Sequence, residues 1–449
     1  MTKRSLVLSL VLSLALVGCS TEIDDLLISD EQKNRMAALY DQANAQLDTD
    51  TTKAIQTARQ MLESAEIIEY KTGIGDAHHL LGLAYDFQGK YDSSAHHHLI
   101  ALRQRQELND EKKKGKSYVN LGILYWHLGL LKEARDCHEA AIAIWEELGN
   151  VQSEANAYYN LGLIEQDAKN WSEAAKAYQH SLHLHQKLDN QATVAKLYNN
   201  LAIINESKED QPKDDRKILG YYKKALQIVQ SSNDGYAIGW INCNIGRTYN
   251  TLNKADSALL FLSKAQDHLD LLPGEKQSLV VVYNSMAEAY QRKKEWKQAI
   301  QVLEKAERIE NQVTGKFKEV YQDTYQLFQD IYAAQRNTAQ VKHYQRKYQA
   351  IQSELAYIKE QAEIVQLRTQ VQVKDLQNFL SWQRQHYLEG MNSFMKMILV
   401  PVCLLLVVVI WLYIKQSKMK RIYETVIMNG MPHFDFDERK KKKTDEKDE

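Results

Sequence analysis

Apolar and polar positions recur with a helical period over almost the whole chain. Leu81 and Tyr85, Leu121 and Tyr125, Ile245 and Tyr249, Met286 and Tyr290, and Phe328 and Tyr332 stand four residues apart. That spacing places both side chains on one helix face. Further along each stretch a second set of small residues appears at a separation of seven: Ser94 and Ala101, Ala134 and Ala141, Ala174 and Ser181, Ala258 and Ala265, Ala299 and Ala306. These positions predict a second helix with a narrow contact stripe. Short turns such as Gln88-Gly89-Lys90 and Leu128-Gly129-Leu130 fall between the two. With only 18 Gly and 4 Pro in 449 residues, helix breakers are few and an all-α chain is expected.

The helical pairs are themselves periodic. Apolar-small pairs occur at Leu81-Gly82, Leu121-Gly122, Leu161-Gly162, Leu201-Ala202, Ile245-Gly246 and Met286-Ala287, with Phe328-Gln329 as a weaker copy. Their spacings are 40, 40, 40, 44, 41 and 42 residues. The small member lets the second helix approach closely, and a hairpin of this size cannot bury its own apolar face, so the hairpins must stack. This layout closely resembles the tetratricopeptide repeat family over roughly residues 70–348, in the lengthened variety found in kinesin light chains. The resemblance implies a superhelical α-solenoid over 31–348, seven to eight hairpins in all. A fainter first hairpin occupies 31–68, where Ala54 and Ala58 recur at helical spacing. The repeat around Leu201 carries a polar insertion from Glu209 to Asp215, expected as a loop.

Three segments stand apart from the repeats. Lys3 and Arg4 precede an apolar run over 6–17 that ends in Leu16-Val17-Gly18-Cys19, which predicts a signal peptide over 1–18. The ending resembles a bacterial lipobox, implying that Cys19 is lipidated and that 19–30 form a linker. After the solenoid, Ile351, Leu355, Ile358, Ala362 and Val365 alternate four and three apart. Thr369 and Gln372 interrupt this seam before Leu376 and Phe379 resume it. Residues 349–395 therefore read equally as a coiled coil, through which a homodimer would form, or as a capping helix on the last repeat. Residues 397–414 carry no charge and predict one transmembrane helix. Lys415, Lys418, Lys420 and Arg421 follow at once, which places the 415–449 tail in the cytoplasm and the repeats outside it.

Composition narrows the function further. The formal net charge of −1 gives no global attraction to nucleic acid. Cys19, Cys137, Cys243 and Cys403 show no metal-ligand or disulfide-framework spacing. Gly115-Lys116-Ser117 imitates the end of a phosphate loop, yet Asp110 stands where its first glycine belongs. No metalloprotease or hydrolase signature occurs, so neither an enzyme nor a cofactor is expected. His78, His79, His96, His97 and His98 fall on the two helices of one hairpin, and His180, His183 and His185 on another. His98 occupies the slot held elsewhere by His138, Tyr178 and Leu262, and packing is expected there rather than metal ligation.

The residue before the apolar-small pair is Asn120, Asn160, Asn200 and Asn244 in four consecutive repeats. The resemblance places first helices on a concave surface, so this slot resembles the family's asparagine ladder. A carboxamide donates and accepts at once and can hold an extended peptide backbone. Trp126, Tyr159, Asn199 and Asn250 stand nearby and would add selectivity. The alternative is that each asparagine bonds within its own hairpin and fixes packing. The whole layout resembles Bacteroidetes-type periplasmic sensors, without the output domain those carry. A protein- or peptide-binding scaffold on the periplasmic side of the inner membrane is expected. The alternatives are a regulator whose tail recruits a partner and a strut between membranes.

Overall fold

The computed structural model describes residues 28–207, 214–272, 274, 276–313 and 318–430. The signal peptide, Cys19, most of the 209–215 insertion and the charged end of the tail lie outside them. Among the described residues the fold is all-α, without strands. It divides at Lys374 into two units, described here in turn.

The first unit is a stack of helical hairpins. α1 (Asp30–Gln46) and α2 (Thr51–Ile67) form the first hairpin. There follow α3 (Lys71–Phe87) with α4 (Tyr91–Glu107), α5 (Glu111–His127) with α6 (Leu131–Glu147), and α7 (Val151–Asp167) with α8 (Trp171–Lys187). Next come α9 (Gln191–Ser207) with α10 (Asp215–Ser232), α11 (Gly235–Thr251) with α12 (Ala255–Leu269), and α13 (Lys276–Arg292) with α14 (Trp296–Arg308). A 3-10 turn over Glu310–Gln312 leads to α15 (Val320–Ala334). A last helix, α16 (Thr338–Gly430), begins in this unit and continues into the second.

Local chemistry sets the ends of these helices. Asp50, Asp110, Asn150, Asp214 and Asp234 each accept a backbone N–H of the first helical turn, replacing a partner that the helix cannot supply. At the other end a left-handed residue reverses the chain: Gly89, Gly129 and Gly149, but also Asn109, Asn233 and Asn253.

The small residue of each apolar-small pair does what its size predicts. A Cβ on Gly82 would meet the His98 ring, one on Gly122 the His138 ring, one on Gly162 the Tyr178 ring and one on Gly246 the Leu262 side chain. In these four hairpins one slot on the second helix thus fills one notch on the first. His98 and His138 are fully buried there, as packing residues.

Neighbouring hairpins also touch through their first helices. α1 meets α3, α3 meets α5, α5 meets α7, α11 meets α13 and α13 meets α15. Where alternate helices of a stack touch directly, the stack curves towards them, so the first helices line the concave side.

α16 opens by capping the stack. Tyr344 and Ile351 are buried in the apolar cluster of the last hairpins, with Leu355 packed against it. The front of the heptad seam therefore faces the solenoid, which leaves Ile351 and Leu355 unable to pair with a second copy.

The second unit, from Asp375, is helical up to Gly430. Every side chain from Leu404 to Ile414 is exposed, between 45% and 67%. Among the described residues no helix is long and apolar enough to cross a membrane. The apolar run of the sequence includes positions 398–400 and 403, whose side chains fall outside that description.

Candidate functional site

The forty-residue period brings equivalent positions of α3, α5 and α7 side by side. Between them lies a pocket of about 230 Å³ lined by His79, Lys116, Asn120, Trp145, Ser153 and Asn156 among others. Lys116 and Asn120 stand four apart on α5 and share a face. Asn156 is the corresponding residue to Lys116 on α7, one turn before Asn160. The lining offers an ammonium group, two carboxamides and a hydroxyl.

Lys116 also lines a second cavity of about 280 Å³, with Lys33, Tyr40, Asp76, Arg105 and Lys113. The Asp76 carboxylate accepts from Lys113 Nζ at 2.7 Å and from Arg105 Nη2 at 3.3 Å. Arg105 is 2% exposed and also donates to Ser117 Oγ at 2.6 Å. Its Nε has no partner among the described residues. Two guanidinium and ammonium charges thus share one carboxylate, and Lys33 and Lys116 stand beside them. Both cavities together form a track with excess positive charge.

His78, His79 and His97 stay neutral. Burial pushes His79 well below its usual range, helped by the nearby Arg105 charge. Burial lowers His78 to about 4 and His97 to about 3, and neighbouring imidazoles add to both shifts. Their Nδ1 atoms lie 2.8 Å apart, one donating to the other. Among the described residues no group of three or more His, Cys, Asp or Glu is placed to hold a metal ion.

The asparagines of the sequence ladder divide into different roles. Asn120 lines the pocket and lies 3.3 Å from His79 Nδ1 of the preceding repeat. Asn160 is half-buried one repeat further on. Asn200 stands beside the Tyr159 and Tyr178 phenols of the repeat before it, and the Tyr178 hydroxyl donates to Gln166 Oε1 at 3.0 Å. Asn199 donates to Asn200 at 3.4 Å and accepts from Asn244 Nδ2 at 3.0 Å.

Asn244 and Asn250 depart from the expectation of groove contact. They are 5% and 1% exposed, and Asn250 Nδ2 donates to the Ser285 carbonyl at 2.7 Å. A buried amide with its donor committed to a neighbouring helix cannot take a ligand without leaving that carbonyl unpaired. Trp126 donates through Nε1 to Asp167 at 2.6 Å. These bonds join successive repeats rather than the two helices of one hairpin, an arrangement neither sequence reading foresaw. Asn284 extends the seam by donating to the Val320 carbonyl at 2.9 Å and accepting from Thr324.

His79, Lys116, Trp145, Ser153 and Asn156 are pocket residues that the sequence reading did not assign to the groove. A signal for two of them existed: Lys116 and Asn156 stand one helical turn before Asn120 and Asn160, on the same face.

The tetratricopeptide repeat family model matches residues 73–147 and 114–187. The match spans the hairpins from α3 to α8, and the other helices from α1 to α15 continue the paired arrangement with lengths of 13 to 18 residues. No curated protein matches the sequence. Among solved structures, the apo form of RapI shares 13% identity at a TM-score of 0.51, covering 62% of this chain and 98% of its own. A signal transduction ATPase with a tetratricopeptide repeat sensor from Pyrococcus horikoshii shares 14% identity at a TM-score of 0.50. It covers 75% of this chain and 56% of its own. BtubC from P. vanneervenii shares 23% identity at a TM-score of 0.45, covering 50% of this chain and 93% of its own. The first two of these likenesses show the fold class alone, an all-α tetratricopeptide-type solenoid.

Proposed function

We propose that the chain is a non-enzymatic scaffold that binds a protein or an extended peptide along its first helices. The observation that carries this reading is the pocket shared by α3, α5 and α7, where Lys116, Asn120, Ser153 and Asn156 converge. Carboxamides and a hydroxyl suit a peptide backbone, which needs donors and acceptors in alternation. The neighbouring cations at Lys33, Arg105 and Lys113 favour an acidic ligand or a free carboxylate.

The scaffold is held at the periplasmic side of the inner membrane, anchored through residues 397–414 and through lipid on Cys19. The exposed apolar side chains from Leu404 to Ile414 support this reading, because a run of that size in water would be an aggregation site. A second reading, a transmembrane regulator, draws on one observation: the helix that caps the repeats is the same helix that runs to Gly430.

The test is a photo-crosslinking amino acid placed at Asn156 in the pocket or at exposed Lys132 on α6. Adducts are expected from position 156 alone. Equal labelling at both positions, or none at 156, would exclude the pocket as the binding surface. Anchoring is tested separately by fatty-acid labelling, which Cys19→Ala should abolish.

A further inference from the structure

α16 does more than cap the last hairpin. After Ile351 and Leu355 it runs to the turn between α5 and α6, five repeats back in the sequence. There Gln366 and Gln370, four apart and hence on one helix face, both donate through Nε2 to the Leu128 carbonyl, Gln370 at 2.8 Å. A carbonyl oxygen has two lone pairs, and the two glutamines fill both. One turn further, Val373 is 2% exposed within the apolar cluster of Leu121, Leu124, Tyr125 and Ile164. Thr369, between them, is 6% exposed.

The turn is shaped for this visitor. A Cβ on Gly129 would run into the Gln366 amide, whereas one on Gly89, in the equivalent turn of the preceding repeat, would meet nothing within 4 Å. Both glycines have the same backbone conformation, φ +68° and +67°. The missing Cβ at Gly129 therefore serves the incoming helix as well as the turn. The seat also adjoins the candidate site: Asn120 and Leu124 on α5 and Leu128 just past its end stand four apart, so turn and pocket lie along one face about 12 Å apart.

We infer that Gln366–Val373 is a built-in, displaceable ligand of the Leu128–Gly129 turn. The external partner for this seat is an amphipathic helix with two carboxamides four residues apart and a small apolar residue one turn on. Such a helix enters only as the chain's own segment leaves, so partner binding and release of α16 are one equilibrium. This deepens the reading of the solenoid as a protein-binding scaffold, and it adds a helix-binding seat beside the peptide pocket.

The probe is a fluorescent synthetic peptide of residues 360–376, added to the full-length chain in detergent. Wild type, with its seat occupied, should bind it weakly. Gln366→Ala with Gln370→Ala removes two neutral hydrogen bonds from the resident segment and should tighten peptide binding by roughly 5- to 150-fold. Adding Gly129→Ala to that variant should weaken binding, while adding Gly89→Ala, which imposes the same backbone strain, should not. Equal affinity for wild type and the double variant, or binding to neither, overturns the inference. A loss shared by Gly89→Ala and Gly129→Ala overturns it too. Crosslinking at Asn156 does not depend on any of these outcomes, so the scaffold reading and the seat stand or fall separately.

Discussion

The Nε2 atom of His138 lies 2.6 Å from where a Cβ on Gly122 would stand. The contact repeats along the stack with histidine, tyrosine or leucine in the notch, so the notch belongs to the first helix and its filling is negotiable. Gly122→Ala should force the ring out of a closed slot and destabilise the chain by about 1–3 kcal/mol. Gly220, in the interior of α10, has open space around it. Gly220→Ala should stabilise by up to about 1 kcal/mol through helix propensity alone. Urea titration of the two variants should show midpoint shifts of opposite sign.

Burial lowers His138 from 6.5 to about 4, and both its ring nitrogens lack a partner among the described residues. The folded state therefore holds this group neutral while the unfolded state protonates it below 6.5. Its contribution is intact above pH 6.5 and is lost as pH falls towards 4, by at most roughly 3 kcal/mol. His98, lowered to about 4 by burial, behaves alike. Leucine fills the same slot at Leu262, so His138→Leu should fold normally. It should flatten the fall in melting temperature between pH 6.5 and 4. An unchanged acid profile would mean that the imidazole is solvated.

Cys137 and Cys243 are both free. Burial raises each thiol to about 12, so almost no thiolate exists at pH 8 to attack an alkylating reagent. Iodoacetamide should leave both unmodified in the folded chain and label both in urea. Rapid labelling of Cys243 without denaturant would show that α11 opens locally.

The repeat was legible in the sequence because stacking forces a fixed spacing on the apolar-small pairs. The four helices that begin at Lys71, Glu111, Val151 and Gln191 reproduce the forty-residue period without drift. The slot that pairs His98, His138, Tyr178 and Leu262 with glycines was legible for the same reason. What one repeat shows its neighbour was not. Asn244 and Asn199 belong to different repeats, and their bond depends on superhelical twist, which leaves no mark on the period. The seat of Gln366 on Leu128, 238 positions apart in sequence, is still less accessible. The polar residues that interrupt the heptad seam at Thr369 looked like flaws in a coiled coil. In the fold Thr369 is buried among the residues that face the solenoid, while Gln372 stays exposed.

The division of the asparagines yields the sharpest test of the groove. Asn244 is 5% exposed and donates to Asn199 at 3.0 Å across the repeat boundary. Asn244→Ala leaves the Asn199 carbonyl oxygen without that donor at a half-buried site, which costs about 1–3 kcal/mol. Its melting temperature should fall, and peptide capture by the folded fraction should stay unchanged. Asn160 occupies the same slot two repeats earlier, half-buried, and among the described residues no hydrogen bond ties its amide to the next first helix. Asn160→Ala should therefore shift stability by no more than about 0.5 kcal/mol, the range of a surface substitution. If the groove holds a peptide backbone, the same change should weaken crosslinking at Asn156 several-fold. Thermal melts paired with crosslinking yields separate the two roles within one ladder. Should Asn160→Ala melt early and crosslink normally, every asparagine of the row would be a structural tie, and Lys116 and Asn156 would have to carry recognition alone.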